Sequence, residues 1–539
     1  MAESPPTETA TSIAAGYAFD APALELGSVV LAGTAYPSAR VRIPLGMLNR
    51  HGLIAGATGT GKTKTLQLLT EQLSAAGVPV VVADIKGDLS GLASPAQPSD
   101  RVAERARDTG DDWQPAGFPV EFLALGGLGS GVPVRATMTS FGPLLLAKVL
   151  DLNQTQESSL ALIFHYADSA GLALLDLKDL RALIQYLTSE EGQDALKGIG
   201  GLSKATAGVI LRALITLENN GGEAFFGEPE WEPADLIRTD GDGRGVISAL
   251  ELSAVQDKPR MFSTFLMWLL ADLFSELPEV GDLDKPKLVF FFDEAHLLFS
   301  DASKAFLEQL TQTVRLVRSK GIGIFFVTQV PADVPDSVLG QLGNRIQHAL
   351  RAFTPDDASN LAKAVRTYPK TASYDLAELL TQLGIGEAVV TVLSERGAPT
   401  PVAWTRLRAP RSLMAQLDPA RQTQAVSGSP LLAKYGTPID RESAYEKLAA
   451  RLATDEPAEA AAPTEPAEAA TDEPEERPRP RQDEPAGRAP AEHAGQSRGG
   501  AVADVLGSPA FTSFARSAAT VLGREITRSL FGTARRRRR

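Results

Sequence analysis

The sequence predicts an α/β fold with a mainly parallel sheet, and three observations lead there. A glycine-rich loop running from Gly56 to Thr63 lies between a short apolar run at residues 52–55 and a helical run at residues 63–75. Residues 78–83, 288–292 and 323–327 are continuous apolar runs of strand length, each followed closely by polar or charged residues. Runs of this kind belong to strands buried on both faces of a parallel sheet. Between them lie stretches with apolar residues at three- and four-residue intervals, the helical period.

Composition sets the outer bounds. At 539 residues the chain exceeds one ordinary hydrophobic core, so two or three compact units plus tails are expected. A hydrophobic fraction of 43% with 22% charged residues is that of a soluble globular protein. No apolar run reaches membrane-spanning length. The first fifteen residues lack the basic and apolar regions of a signal peptide, so a cytoplasmic location is expected. With no cysteine, disulfides, thiolate metal sites and cysteine nucleophiles are excluded. The net charge of −13 is unevenly spread: residues 501–539 are basic and the remainder is acidic. An acidic body argues against a broad nucleic-acid surface, which needs cationic area, but leaves room for a narrow basic groove.

In chain order, residues 1–20 read as a flexible arm, and residues 21–92 as the start of the nucleotide-binding core. There, residues 26–44 suggest a small hairpin ahead of the loop strand. Strand–helix alternation breaks off over residues 93–242, which read as an inserted, mostly helical lobe. It contains a strand pair near residues 120–124 and 132–136 and helices near residues 144–152, 156–170, 176–188 and 204–218. His165 within it reads as an ordinary packed residue. Residues 243–452 complete the core, with a hairpin across Gly397 expected at the sheet edge or a subunit contact, and an exposed helix over residues 431–452. Residues 453–502 are rich in Pro, Ala, Glu and Arg, too poor in large apolar groups to offset ordering entropy, and read as a disordered linker. Residues 503–539 read as an amphipathic helix on the spacing of Phe511, Phe514, Ala518, Val521, Leu522, Ile526 and Leu530, ending in five arginines. It suits docking back onto the body or a neighbouring subunit, tethering a protein partner, or contact with a membrane surface or nucleic acid.

The loop itself has the spacing G-x-x-x-x-G-K-[ST] of a phosphate-binding P-loop. Its glycines let successive amide groups point into one concavity, and the following helix aims its positive end at the anion. Gly56, Ala57, Thr58, Gly59, Thr60, Gly61, Lys62, Thr63 and Lys64 are therefore the candidate nucleotide contacts. Lys62 is placed to reach the β- and γ-phosphates of ATP, and Thr63 to ligate Mg²⁺. The strand at residues 78–83 runs into Asp84-Ile85-Lys86-Gly87-Asp88, charged residues at a carboxyl end where such sheets bind ligands. The strand at residues 288–292 ends in Asp293-Glu294. In nucleotide hydrolysis Asp293 would help hold Mg²⁺, and Glu294 would orient and deprotonate the attacking water. Gln329, after the next strand, is a candidate for sensing the γ-phosphate. Arg345 and Arg351 are both candidates for offsetting transition-state charge, and the sequence does not choose between them.

Several stretches together resemble one family: residues 49–63, 84–92, 175–180, 292–296 and 344–354, with residues 508–511 and 530–532. The chain is similar to the YjgR-type bacterial ATPases, HerA-helicase-like members of the HerA/FtsK group of motors. That resemblance implies a RecA-like (ASCE) P-loop NTPase core in which the catalytic glutamate adjoins the Walker B aspartate, as Glu294 adjoins Asp293. It also implies that Gln329 is the polar sensor, that the protein is a ring hexamer with an arginine reaching a neighbour's nucleotide, and that DNA threads the ring. No counterpart of the N-terminal barrel through which HerA proteins engage a nuclease is evident. The expected activity is Mg²⁺-dependent ATP hydrolysis by an oligomeric DNA translocase. The alternative is an ATP-gated scaffold that remodels a protein partner through its C-terminal helix.

Overall fold

A computed structural model describes residues 6–196, 198–281, 283–299 and 304–455. The linker and the C-terminal amphipathic helix expected from the sequence lie outside the described residues. Twelve strands are described: β1 (Ala23–Leu31), β2 (Thr34–Pro44), β3 (Gly52–Ala55), β4 (Val80–Asp84), β5 (Val120–Leu125), β6 (Val132–Val134), β7 (Ile247–Glu251), β8 (Leu288–Phe292), β9 (Ile322–Thr328), β10 (Asn344–Gln347), β11 (Glu387–Thr391) and β12 (Ala403–Leu407). They join in one sheet of order β2-β1-β12-β11-β10-β3-β9-β8-β4-β7-β5-β6. From β10 to β6 all neighbours are parallel; β11, β12, β1 and β2 continue the sheet antiparallel.

The apolar runs explain the parallel half. Every residue of β8 and of β9 is buried, and alternate side chains enter different cores. Phe290, Phe292, Ile324 and Phe326 pack on one face; Val289, Phe291, Phe325 and Val327 pack on the other. The second face is covered by helix α1 (Pro6–Ala15), through Ala10 and Ile13, and by helix α2 (Lys62–Ala75), through Leu66, Leu69 and Leu73. Part of the stretch read as a flexible arm is thus helical, with buried side chains in the core.

The first face carries the helices α3 (Met138–Val149), α4 (Gln154–Ser169), α5 (Leu177–Thr188) and α6 (Lys204–Leu217), followed by α7 (Pro259–Glu276) and α8 (Lys304–Val317). Local sequence sets where two of these begin. Asn153 with Gln156, and Asp176 with Asp179, form capping boxes that satisfy the free amide groups of the first turns of α4 and α5. The strands β5 and β6 that precede these helices are not a separate sheet. β5 pairs with β7 and extends the main sheet. His165 is exposed on α4 rather than packed.

Two further expectations are corrected. The β11–β12 hairpin is not at the sheet edge, because β1 and β2 pair outside it. The single exposed helix expected after residue 430 is two helices, α9 (Pro430–Tyr435) and α10 (Ala444–Asp455), with Leu431, Tyr435, Ala444 and Leu448 buried. Tyr435 stacks on Trp231 at 4.4 Å, and its hydroxyl donates to Asp235 at 2.6 Å. An aromatic anchor with a satisfied polar end is what the amphipathic periodicity concealed. Among the described residues no helix is long and apolar enough to cross a membrane.

Candidate nucleotide-binding site

The site lies at the carboxyl ends of the central parallel strands, where the helices' positive ends and the strand tips converge. β3 ends at Ala55 and the loop turns through Gly56 to Gly61 into α2. Gly61 has φ +114°, a conformation that L side chains rarely adopt. Gly56 is required for a different reason: a Cβ there would lie 2.4 Å from that of His348. The loop is tied down by Gly56 N–H to Thr328 O (3.2 Å) and Ala57 N–H to Ala349 O (2.8 Å), and Thr60 O accepts Gly386 N–H (3.0 Å). It is therefore braced by the end of β9, by the segment that follows β10 and by the residue that precedes β11.

Lys62 is buried and donates to Gly56 O (2.6 Å) and Ala57 O (3.3 Å). Burial lowers its pKa, while the Glu294 and Asp293 carboxylates oppose that shift. Thr63 follows it in the first turn of α2, half-buried. Lys64, placed with the nucleotide contacts by the sequence, donates instead to Met414 O (2.9 Å) and Gln67 Oε1 (3.2 Å).

Asp293 and Glu294 follow β8, which is separated from β3 by β9 alone. Asp293 is only 2% exposed; its Oδ1 accepts the Glu294 amide at 2.9 Å, and its Oδ2 has no hydrogen-bond partner. Burial, then the adjacent Glu294 charge, pushes its pKa up to about 7. A buried oxygen left without a donor, in a carboxylate disfavoured as a free anion, fits a divalent cation held directly or through water.

Glu294 is the unusual residue, with φ +47°. Burial opposes its ionisation, but a hydrogen bond and ion pair with Lys86 outweigh burial and hold its pKa below the ordinary value. The two carboxylate oxygens thereby differ. Oε1 is engaged by Lys86, whereas Oε2 lies 3.3 Å from His296 Nδ1 without making a hydrogen bond. Oε2 is thus a buried oxygen without a hydrogen-bond partner.

The remaining sequence candidates are distributed unevenly. Gln329 is exposed just beyond the tip of β9. Arg351 is exposed and reaches Thr58 O in the loop at 3.5 Å. Arg345 is level with Leu53, near the other end of β3, and its guanidinium donates to Leu339 O at 3.3 Å. Two residues were missed. Lys86 lay within a flagged charged segment but had no assigned role. His348 is fully buried, shares a 2.9 Å hydrogen bond with Thr65 Oγ1, and backs the loop at Gly56. Burial, followed by the Lys62 charge, lowers its pKa to about 4, so it packs as a neutral ring. Its only signal was its position in the stretch of residues 344–354.

The strand order β10-β3-β9-β8-β4, a P-loop after β3 and an acidic pair after β8 define a RecA-like P-loop nucleoside triphosphatase. The chain belongs to the Helicase HerA-like C-terminal family, whose model matches residues 30–539. It is 20% identical over 370 residues to the DNA double-strand break repair helicase HerA of Sulfolobus acidocaldarius, covering 65% of this chain and 64% of that protein. It is 28% identical over 154 residues to a probable helicase of Methanocaldococcus jannaschii, covering 27% of this chain and 28% of that protein. The chain thus spans less than two thirds of either relative. Among solved structures, the bacterial conjugative coupling protein TrwBdeltaN70 is similar with a TM-score of 0.49 and 15% identity, over 75% of this chain and 93% of that one. VirB4 of Thermoanaerobacter pseudethanolicus is similar with a TM-score of 0.46 and 13% identity, over 72% and 97%.

Proposed function

We propose that the protein is an Mg²⁺-dependent ATPase that works as a homo-oligomeric, DNA-translocating motor of the HerA type. The observation that carries the hydrolysis is the division of labour at the end of β8. Asp293 offers a buried, unpartnered oxygen suited to the metal, while Glu294 Oε2 is likewise buried and unpartnered beside it.

In this reading the triphosphate lies in the loop, and amide groups from Gly59 to Thr63 face its oxygens. Thr63 and Asp293 would hold Mg²⁺, which neutralises charge on the β- and γ-phosphates when bound. Glu294 Oε2 takes a proton from the attacking water as a new P–O bond forms at the γ-phosphorus. The bond to the bridging oxygen breaks, and ADP leaves with the electron pair. Lys62 moves from the loop carbonyls to the phosphate oxygens. Lys86 keeps Glu294 ionised and fixes which oxygen acts. Arg351 is better placed than Arg345 to offset charge, because it stands beside Thr58. DNA as substrate is supported by the HerA relative's name, and a hexameric ring by the resemblance in sequence to the HerA/FtsK group; a protein partner for residues 503–539 is supported only by their amphipathic sequence pattern.

ATP turnover measured with and without single- and double-stranded DNA tests this. Wild type should hydrolyse ATP and be stimulated by DNA at low salt. Glu294→Gln should bind nucleotide but turn over at least a hundredfold more slowly, as expected for loss of a general base. Turnover that DNA leaves unchanged at low salt would remove the translocase and keep the ATPase. Nucleotide binding with no turnover in wild type would favour the ATP-gated scaffold instead.

A further inference from the structure

Two large apolar side chains stand almost bare beside the nucleotide loop. Phe353 is 82% exposed and Ile385 75%, whereas the next such side chain among the described residues, Ile439, is 54% exposed. A single exposed hydrophobic residue is ordinary. These two are set apart by where the fold puts them. β10 and β11 pair antiparallel, with Gln347 opposite Val389, and Gln347 is also level with Ala55, where β3 ends. The segment leaving β10 and the turn entering β11 therefore emerge together at the end of the sheet that carries the loop.

Both segments are fastened to the loop. Gly386, next to Ile385, donates its amide to Thr60 O, and a Cβ on Gly61 would lie 3.3 Å from Gly386 Cα. Arg105 ties down the same turn, donating to Ile385 O (2.9 Å) and Gly386 O (3.2 Å). After β10, Arg351 reaches Thr58 O, and its guanidinium carbon lies 5.9 Å from the centre of the Phe353 ring. A turn held by this many hydrogen bonds keeps the Ile385 side chain in one place, outside every core. Whatever meets these two side chains also meets what the loop holds.

The direction of the nucleotide decides what that is. With Asp293 and Glu294 serving the metal and the attacking water, the γ-phosphate lies toward β8, which stands on one side of β3 with β9 between them. β10 and β11 stand on the other side of β3. A triphosphate whose γ end points to β8 sends its nucleoside end the opposite way, to the side of Phe353 and Ile385. We propose that Phe353 and Ile385 form an apolar rim that receives the base of the bound nucleotide, a reading that rests on the nucleotide site proposed above. An aromatic ring and a branched aliphatic chain suit the flat face of a base, and stacking of this kind is favourable with any base.

The test compares ATP with tripolyphosphate, which carries three linked phosphates and no base, each titrated calorimetrically with Mg²⁺ into the full chain. Phe353→Ser combined with Ile385→Ser should weaken ATP binding by about tenfold or more, as loss of a stacking surface requires, and leave tripolyphosphate within about twofold. Both side chains are exposed, so the melting temperature should not fall. Unchanged ATP affinity in the double variant overturns the proposal. Equal weakening of ATP and tripolyphosphate also overturns it, because the loop itself would then be disturbed. A loss of ATP affinity accompanied by a fall in particle mass in mass photometry assigns the rim to a contact between copies of the chain and overturns the base contact. Wild type that binds neither compound removes the nucleotide site as well as the rim, which distinguishes that failure from the others.

Discussion

Glu251 shows how charge is managed around the site at the level of single residues. It ends β7, directly beside Asp84 at the end of β4, is 7% exposed, and has Oε1 unpartnered. Burial, then the Asp84 charge, pushes its pKa from the usual 4.5 up to about 7. Between those values the folded protein holds a proton that the unfolded chain has released. Stability contributed by this group is therefore greatest below about pH 4.5 and falls as the pH rises through about 7. The shift corresponds to a loss on the order of 3 kcal/mol. Glu251→Gln should raise the melting temperature at pH 8 and leave it nearly unchanged near pH 4; a variant equally or less stable at pH 8 would show that the carboxylate is already compensated. Asp293 and Glu294 were legible in the sequence because adjacent acids after an apolar strand form a local string. Lys86, which pairs with Glu294 Oε1, was not, because the pair is separated by 208 residues and met only through the strand order.

The unit of β3, loop and α2 depends on close backbone approach. The Gly56→Ala Cβ would meet the Cβ of His348 at 2.4 Å, in a residue that is fully buried. Overpacking of this kind costs about 1–3 kcal/mol. Gly56→Ala should lower the melting temperature and abolish nucleotide binding together, measured by thermal unfolding with and without ATP. Retained ATP-induced stabilisation would mean that the loop tolerates the added methyl group. The spacing of Gly56, Gly61, Lys62 and Thr63 made this element readable from sequence alone. That spacing carried no information on where Lys64 turns, since Met414 approaches from 350 residues away. Periodicity likewise revealed helical sequence after residue 430 while hiding the two-helix break and the stacking of Tyr435 on Trp231.

Across the whole molecule, the parallel strands were visible as apolar runs, because burial on both faces leaves no alternation to misread. Their order was not visible, because β5 and β6 enter the sheet from a stretch dominated by helical periodicity. The choice between Arg345 and Arg351 was equally a matter of global register. Strand β10 sets Arg345 beside Leu53, and the chain then carries Arg351 up to the loop. If the proposed ring forms, mass photometry with ATP should show six copies of the 57.1 kDa chain. Arg351→Ala should then keep nucleotide affinity within a few-fold while turnover falls by more than tenfold. A monomer at all nucleotide concentrations would remove the ring, and undiminished turnover would remove the arginine.

The backbone of Glu294 has a consequence for how this chain tolerates change. At φ +47° a glutamate costs roughly 1–2 kcal/mol relative to glycine. Selection for folding stability alone would favour glycine there, in the strand tip that we assign to water activation. Libraries screened only for heat resistance should therefore accumulate Gly at position 294 as inactive, more robust survivors. Stability and turnover pull this one position in opposite directions.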